Sequence, residues 1–344
     1  MRRLKRLRSR GALQKAAGLA VVVIAFAIVL PRLADYGEVW QEVKTLDARS
    51  LALLAVVTAV NLATFAPPWM AALPGLGFWR AFVSTQASTA STYIAPGGAA
   101  VGIAASLVLL KKWGYRTSNV ALAAALTGIW NQLAVLGFPA LALGLLTLTG
   151  GQHPLLRTVG LLGLVGFAVA VVVFVCALAS NRLARRVGTL ALRAARRLAR
   201  IARRREIRWD AETIVQFRGR TATLLARRWH VLTLATLVGQ LSVFAVLLTC
   251  LRTLGVTGSE VSLVEAFAAW TLIRLLGSIP LTPGGIGIVE VGLTGFLVGF
   301  GGSDAEVVAA VLLYRFLTIV PTLVIGLVLG ATWRPRTNTV TPEG

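Results

Sequence analysis

The polarity pattern of the chain is a series of apolar runs, and two of them are cut by the same short motif. Runs at about 16–33, 50–73, 119–148, 156–179, 230–254 and 304–331 approach or exceed the roughly 20 residues that cross a bilayer. Two further stretches are interrupted. The first flanks Ala95-Pro96-Gly97-Gly98 with apolar arms at 81–94 and 98–110. The second flanks Thr282-Pro283-Gly284-Gly285 with arms at 262–280 and 284–300. Proline and glycine break helices, so each stretch reads as two half-helices joined at a bend. Paired broken helices in corresponding halves point to the binding site of a transporter. The expected fold is all-α, a polytopic transmembrane bundle with two broken or re-entrant hairpins.

The pattern divides the chain into a basic N-terminus at 1–15, a first membrane half at 16–179, a basic linker at 180–229, a second membrane half at 230–332 and a polar tail at 333–344. The run Ala16–Leu30 is followed by Pro31-Arg32 without a small-residue cleavage pattern and reads as a retained span. The run at 119–148 exceeds the bilayer thickness and should tilt, or kink near Pro139. With an offset of 187 residues, Pro96-Gly97-Gly98 aligns with Pro283-Gly284-Gly285 and Gly114 with Gly301. This supports an inverted repeat.

Composition strengthens the membrane assignment: 56% of residues are hydrophobic and 14% charged, against about 25% charged in soluble domains. The net charge of +22 does not indicate nucleic acid. Seven Lys/Arg precede Ala16 and fifteen lie between Arg182 and Arg228, beside the spans, where they mark cytoplasmic segments. Placing both termini in the cytoplasm leaves only Arg32, Lys44, Arg49, Arg157 and Arg252 outside, and the two hairpins then enter from opposite faces. The expected location is the cell membrane. Leu183–Ile201 carries apolar residues at helical spacing among arginines, which fits a helix lying on the inner leaflet or a solvated linker helix. Cys176 and Cys250 read as apolar fillers, and His153 and His230 as interfacial residues.

Carboxylates narrow the chemistry. None occurs between Asp47 and Glu206, so a two-carboxylate catalytic site or a carboxylate metal cage cannot be built there. Gly285-Ile286-Gly287 superficially matches a dinucleotide loop but lacks the third glycine and a preceding soluble strand. No metal site, cofactor or enzymatic activity is expected.

The candidate site centres on Pro96, Gly97, Gly98, Pro283, Gly284 and Gly285. Glycine lets backbone N–H groups approach a ligand, and the new helix N-termini suit a phosphate. Hydroxyls nearby, among them Ser91, Thr92 and Ser278, either contact a headgroup or serve tight helix packing. Glu265, Arg274, Glu290 and Arg315 lie in the second membrane half, where ionisable groups are costly unless paired. Glu290 with Arg315 is the preferred pair, either a clamp or a substrate or proton site; Glu265 and Arg274 can snorkel from helix ends. Asn131 and Gln132, mid-span, either line a cavity or lock helices together, and Asn61 is a weaker case.

Pro283-Gly284-Gly285-Ile286-Gly287-Ile288-Val289-Glu290, followed by Tyr314-Arg315, resembles the lysylphosphatidylglycerol synthase transmembrane family, which includes the flippase half of the multiple peptide resistance factor. The general layout extends over about 15–332. The resemblance implies an integral membrane lipid translocase that moves an anionic or modified lipid between leaflets, with Glu290, Tyr314 and Arg315 at its site. Anionic phospholipid or a polyprenyl-phosphate-linked lipid is the implied partner, with self-association possible. The chain departs from the family pattern in an uncharged 97–106 and in Asn131-Gln132, where relatives often carry charge. The synthase half is not covered, so lysyl-lipid synthesis is not expected. The alternatives are a membrane enzyme of lipid-linked sugar or aminoacyl-lipid metabolism, and a non-transporting scaffold using the basic segment.

Overall fold

The computed structural model describes residues 44, 46–94, 99–148, 154–179, 211–278 and 287–332. The first span is α1 (Ala48–Thr64) continued by α2 (Ala66–Ala72). Asp47 caps α1 by accepting from the Ser50 N–H at 3.0 Å. The chain re-forms as α2 after Phe65 because Pro67 sits in the first turn, where a missing N–H is tolerated. The first hairpin is α3 (Phe78–Ile94) and α4 (Ala99–Lys112). Next come α5 (Thr117–Leu148), which runs through Pro139 without ending, and α6 (Pro154–Ala179). The second half contains α7 (Ala211–Thr253), the hairpin arms α8 (Leu263–Gly277) and α9 (Ile288–Gly299), and α10 (Asp304–Thr332).

Among the described residues, four stretches are long and apolar enough to cross a membrane: 48–72, 117–146, 221–253 and 304–330. By contrast, α4, α8 and α9 have 14, 15 and 12 residues. At 1.5 Å per residue they reach about 21, 22 and 18 Å, short of a core about 30 Å thick. These are the half-helices expected on either side of the two Pro-Gly-Gly breaks. Pro96, Gly97, Gly98, Pro283, Gly284 and Gly285 themselves lie outside the described residues, as do the expected span at 16–33, most of the linker and the tail.

α7 is helical from Ala211 and so joins the described end of the basic linker to the expected span from about 230 without a break. Gly219 alone does not stop it, since an isolated helical glycine is tolerated. Leu225 anchors the extension by burial against Leu76, Leu110 and Trp113.

The helices are held by two main cores. One gathers Phe138, Phe244, Phe267 and Trp270 with α9 and α10 residues. The other gathers Leu76, Val83, Leu110, Trp113, Leu126 and Leu232. α7 contributes to both. Outside them, Val56, Leu162, Leu234 and Val291 are at least 60% exposed, as lipid-facing side chains are.

The ends of the bundle differ in charge. Lys111, Lys112, Arg116, Arg227 and Arg228 are exposed around the Leu110–Trp113–Leu225 end. Asp47, Glu260, Asp304 and Glu306 gather around Leu46, Leu254, Val261 and Val307, at the opposite ends of α5 and α7. The α3–α4 hairpin starts and finishes at the basic end: the Tyr115 hydroxyl donates to Gly75 O at 3.1 Å. The α8–α9 hairpin starts and finishes at the acidic end. There Arg252 donates to Val256 O at 2.7 Å and to Val261 O at 2.8 Å, and Gly301 packs on the Glu260 carbonyl. The two hairpins therefore enter from opposite ends.

Small residues allow the first hairpin to reach the last helix. A Cβ at Gly326 would stand 2.3 Å from Gln86 O, and one at Gly330 3.0 Å from the Ala87 Cβ. This Gly-x-x-x-Gly face brings the α10 and α3 backbones together. Gly326→Ala is expected to destabilise the protein by about 1–3 kcal/mol. Gly128→Ala, where a Cβ meets nothing within 4 Å, should instead gain up to about 1 kcal/mol of helix propensity. Thermal unfolding in detergent distinguishes the two variants.

Candidate functional site

The described ends of α3 and α8 line a common cavity of about 320 Å³. Tyr93 comes from the end of α3, and Arg274 and Ser278 from the end of α8. Asn131 and Gln132 enter from α5, Tyr314 and Arg315 from α10. Asn131 lies 14 residues into α5, about 21 Å from its start. The cavity thus sits at mid-bundle depth.

Glu290 secures one side. Its Oε2 accepts from the Gly287 N–H at 2.7 Å, closing the first turn of α9. Its Oε1 accepts from Arg315 Nε at 2.5 Å. Both residues are buried, at 9% and 7% exposure. Gly287 has φ +84°, a left-handed conformation that glycine adopts without strain. The Gly-x-x-Glu spacing in the sequence is therefore helix-capping spacing, from N-cap to third residue. This meets the expected Glu290–Arg315 pairing and adds a second role. The positive end of α9, which the sequence offered to a phosphate, already faces a carboxylate.

Arg274 does not snorkel from a helix end. Its guanidinium lies 5.4 Å from the centre of the Trp270 ring and donates through Nη2 to Gln240 Oε1. Gln240 Nε2 in turn donates to Asn131 Oδ1. Arginine is a donor only, so it fixes the orientation of both amides. Gln240 must present oxygen to Arg274 and nitrogen to Asn131, and Asn131 must present oxygen to Gln240. The group Asn131 has left for the cavity is its NH₂ donor. Among the described residues, Arg274 has no ion-pair partner, so its charge is balanced only by an amide dipole and an aromatic face.

Other candidates are occupied elsewhere. Ser91 and Thr92 donate to the carbonyls of Ala87 and Ser88, at 2.7 and 3.1 Å. Ser88 donates to Gly102 O at 2.8 Å, where α4 packs so closely that a Cβ would meet Thr92 Oγ1 at 2.3 Å. Ser88 and Thr92 lie in the α3–α4 contact, Ser91 bonds back onto its own helix, and none of the three lines the cavity. Glu265 forms a capping box with Ser262. Asn61 donates to Ser242 at 2.9 Å and ties α1 to α7. Gln240 was missed in the sequence, although a lone amide within an apolar helix is the same signal that marked Asn131.

Residues 16–326 match the family described as Lysylphosphatidylglycerol synthase TM region. The chain belongs to this family. It is accordingly a multi-pass membrane protein. In this member of the lysylphosphatidylglycerol synthase transmembrane family, the Pro-Gly-Gly-x-Gly-x-x-Glu pattern ends on the Glu290 cap, and Tyr314-Arg315 faces the cavity. No curated protein matches the chain.

Removing either member of a buried pair strands the other's charge. Glu290→Ala and Arg315→Ala should each destabilise the protein by about 3–5 kcal/mol. The double variant should lose less than the sum, and a double-mutant cycle on thermal unfolding measures the difference.

Proposed function

We propose that the protein is a lipid translocase in which the mid-bundle cavity takes a phosphate-bearing headgroup while the acyl chains stay in the bilayer. The observation that carries this reading is Arg274, a guanidinium without a carboxylate partner among the described residues, held in the cavity wall beside the tips of two opposed half-helices. Phosphate is the natural complement of a guanidinium and an amide donor. Family membership supports a role in lipid metabolism or transport.

The chain's own residues divide the work as follows. Gln240 aims Arg274 and turns the Asn131 amide so that both offer donors to a phosphate. The Glu290–Arg315 pair keeps the start of α9 docked on α10, which preserves the cavity wall as a headgroup enters. Tyr93 and Ser278 supply hydroxyls on the two hairpin tips. No general acid–base pair lies among the described wall residues, which favours transport over chemistry.

We assign the basic end of the bundle, with Lys111, Lys112, Arg227 and Arg228, to the cytoplasmic side of the cell membrane by the positive-inside rule. Both termini then lie in the cytoplasm. In a background lacking Cys176 and Cys250, single cysteines at Lys112 and Ser259, exposed at the bases of the two hairpins, should label from opposite faces. Labelling from one face would remove the inverted repeat.

Transport is tested by reconstituting the purified chain into vesicles with fluorescent phospholipids and measuring protection from a membrane-impermeant quencher. Arg274→Gln should slow translocation by about tenfold or more, since hydrogen bonds to a charged group contribute about 1.5–3 kcal/mol. Folded wild-type protein that moves no phospholipid would sink the proposal.

A further inference from the structure

From the charge of the cavity wall, we infer that this protein selects lipids whose headgroup is anionic and carries no ammonium, and rejects aminoacylated, cationic ones. The inference rests on the translocase reading and names its substrate class.

Every charged side chain in the described wall is a guanidinium: Arg274 and Arg315. The neutral groups have been turned into donors. Arg274 forces Gln240, and through it Asn131, to spend carbonyl oxygens within the relay, leaving the Asn131 NH₂ group for the cavity. The nearest described carboxylate, Glu290, has one oxygen on the Gly287 N–H and the other on Arg315. A headgroup ammonium therefore meets the uncancelled charge of Arg274, and the one nearby carboxylate is already committed to Arg315 and Gly287. The sequence extends this to the segments outside the described residues. No Asp or Glu occurs from 48 to 205 or from 266 to 289, and these ranges contain both Pro-Gly-Gly breaks and the α3, α5 and α8 walls. A phosphate diester or monoester meets the opposite situation, donors and positive charge. Like-charge juxtaposition is the standard means of excluding a wrong partner.

The test uses the full chain in vesicles and compares fluorescent phosphatidylglycerol with its lysyl ester. Phosphatidylglycerol should move at least about tenfold faster, the ratio that 1.4 kcal/mol of discrimination yields. Gln132→Glu, which places a carboxylate on the wall, should shrink that ratio about tenfold in favour of the lysyl ester. Ser278→Asp does the same from the opposite wall and serves if the first variant does not fold. Lysyl ester moving as fast as phosphatidylglycerol overturns the selectivity and leaves the translocase reading standing. Movement of neither lipid by folded protein overturns the translocase reading and this inference with it. Inorganic phosphate is the arm that separates a lipid headgroup from a free anion. It should compete only weakly, because it lacks acyl chains, and competition as strong as that of unlabelled phosphatidylglycerol would assign the cavity to a soluble anion and overturn the lipid assignment.

Discussion

The carboxylate of Glu290 is the contact on which the second half of the molecule depends. A helix that begins inside a membrane protein leaves backbone donors without partners, and hydrocarbon cannot satisfy them. Glu290 reaches back to Gly287 with one oxygen and holds Arg315 with the other. One side chain thus starts α9, fastens it to α10 and neutralises a buried guanidinium. Each partner makes the burial of the others tolerable. An isolated glutamate or arginine at this depth would be strongly unfavourable.

The two guanidiniums near the cavity are held by opposite strategies. Arg315 is tied to a carboxylate. Arg274 is held by an amide and an aromatic face, which position it without cancelling its charge. The difference in partner chemistry separates a structural arginine from one available to a ligand, although both lie in the same second membrane half. The amide relay also carries orientation across three helices, from α8 through α7 to α5. A donor-only group at one end dictates which atom is presented at the other.

Much of this was legible in the sequence because it follows from solvation. Ionisable residues cannot be left bare in an apolar run, so Glu290 and Arg315 declared themselves as partners. Pro-Gly-Gly within an apolar run announced half-helices, and α4, α8 and α9 have the lengths expected of them. Charge counting anticipated that the hairpins enter from opposite ends. What was not legible depended on three-dimensional neighbours. The hydroxyl of Thr92 could equally have faced a ligand or a helix, and only the close approach of Gly102 decides for packing. Arg274 had the same polarity whether it snorkelled or turned inward; Gln240, far away in sequence, determines which. That the basic linker runs into the next span as one helix, α7, was not legible either, because Leu225 finds its burial on the other half of the chain.

The contact of Gly326 and Gly330 with Gln86 and Ala87 has a mechanical consequence. Where backbones touch without intervening side chains, one helix cannot slide along the other without colliding with the next larger residue. The seam joins the first hairpin to the last helix, and therefore one half of the molecule to the other. It sets the register of the two halves, and the same α3 that it fixes carries Tyr93 into the cavity wall.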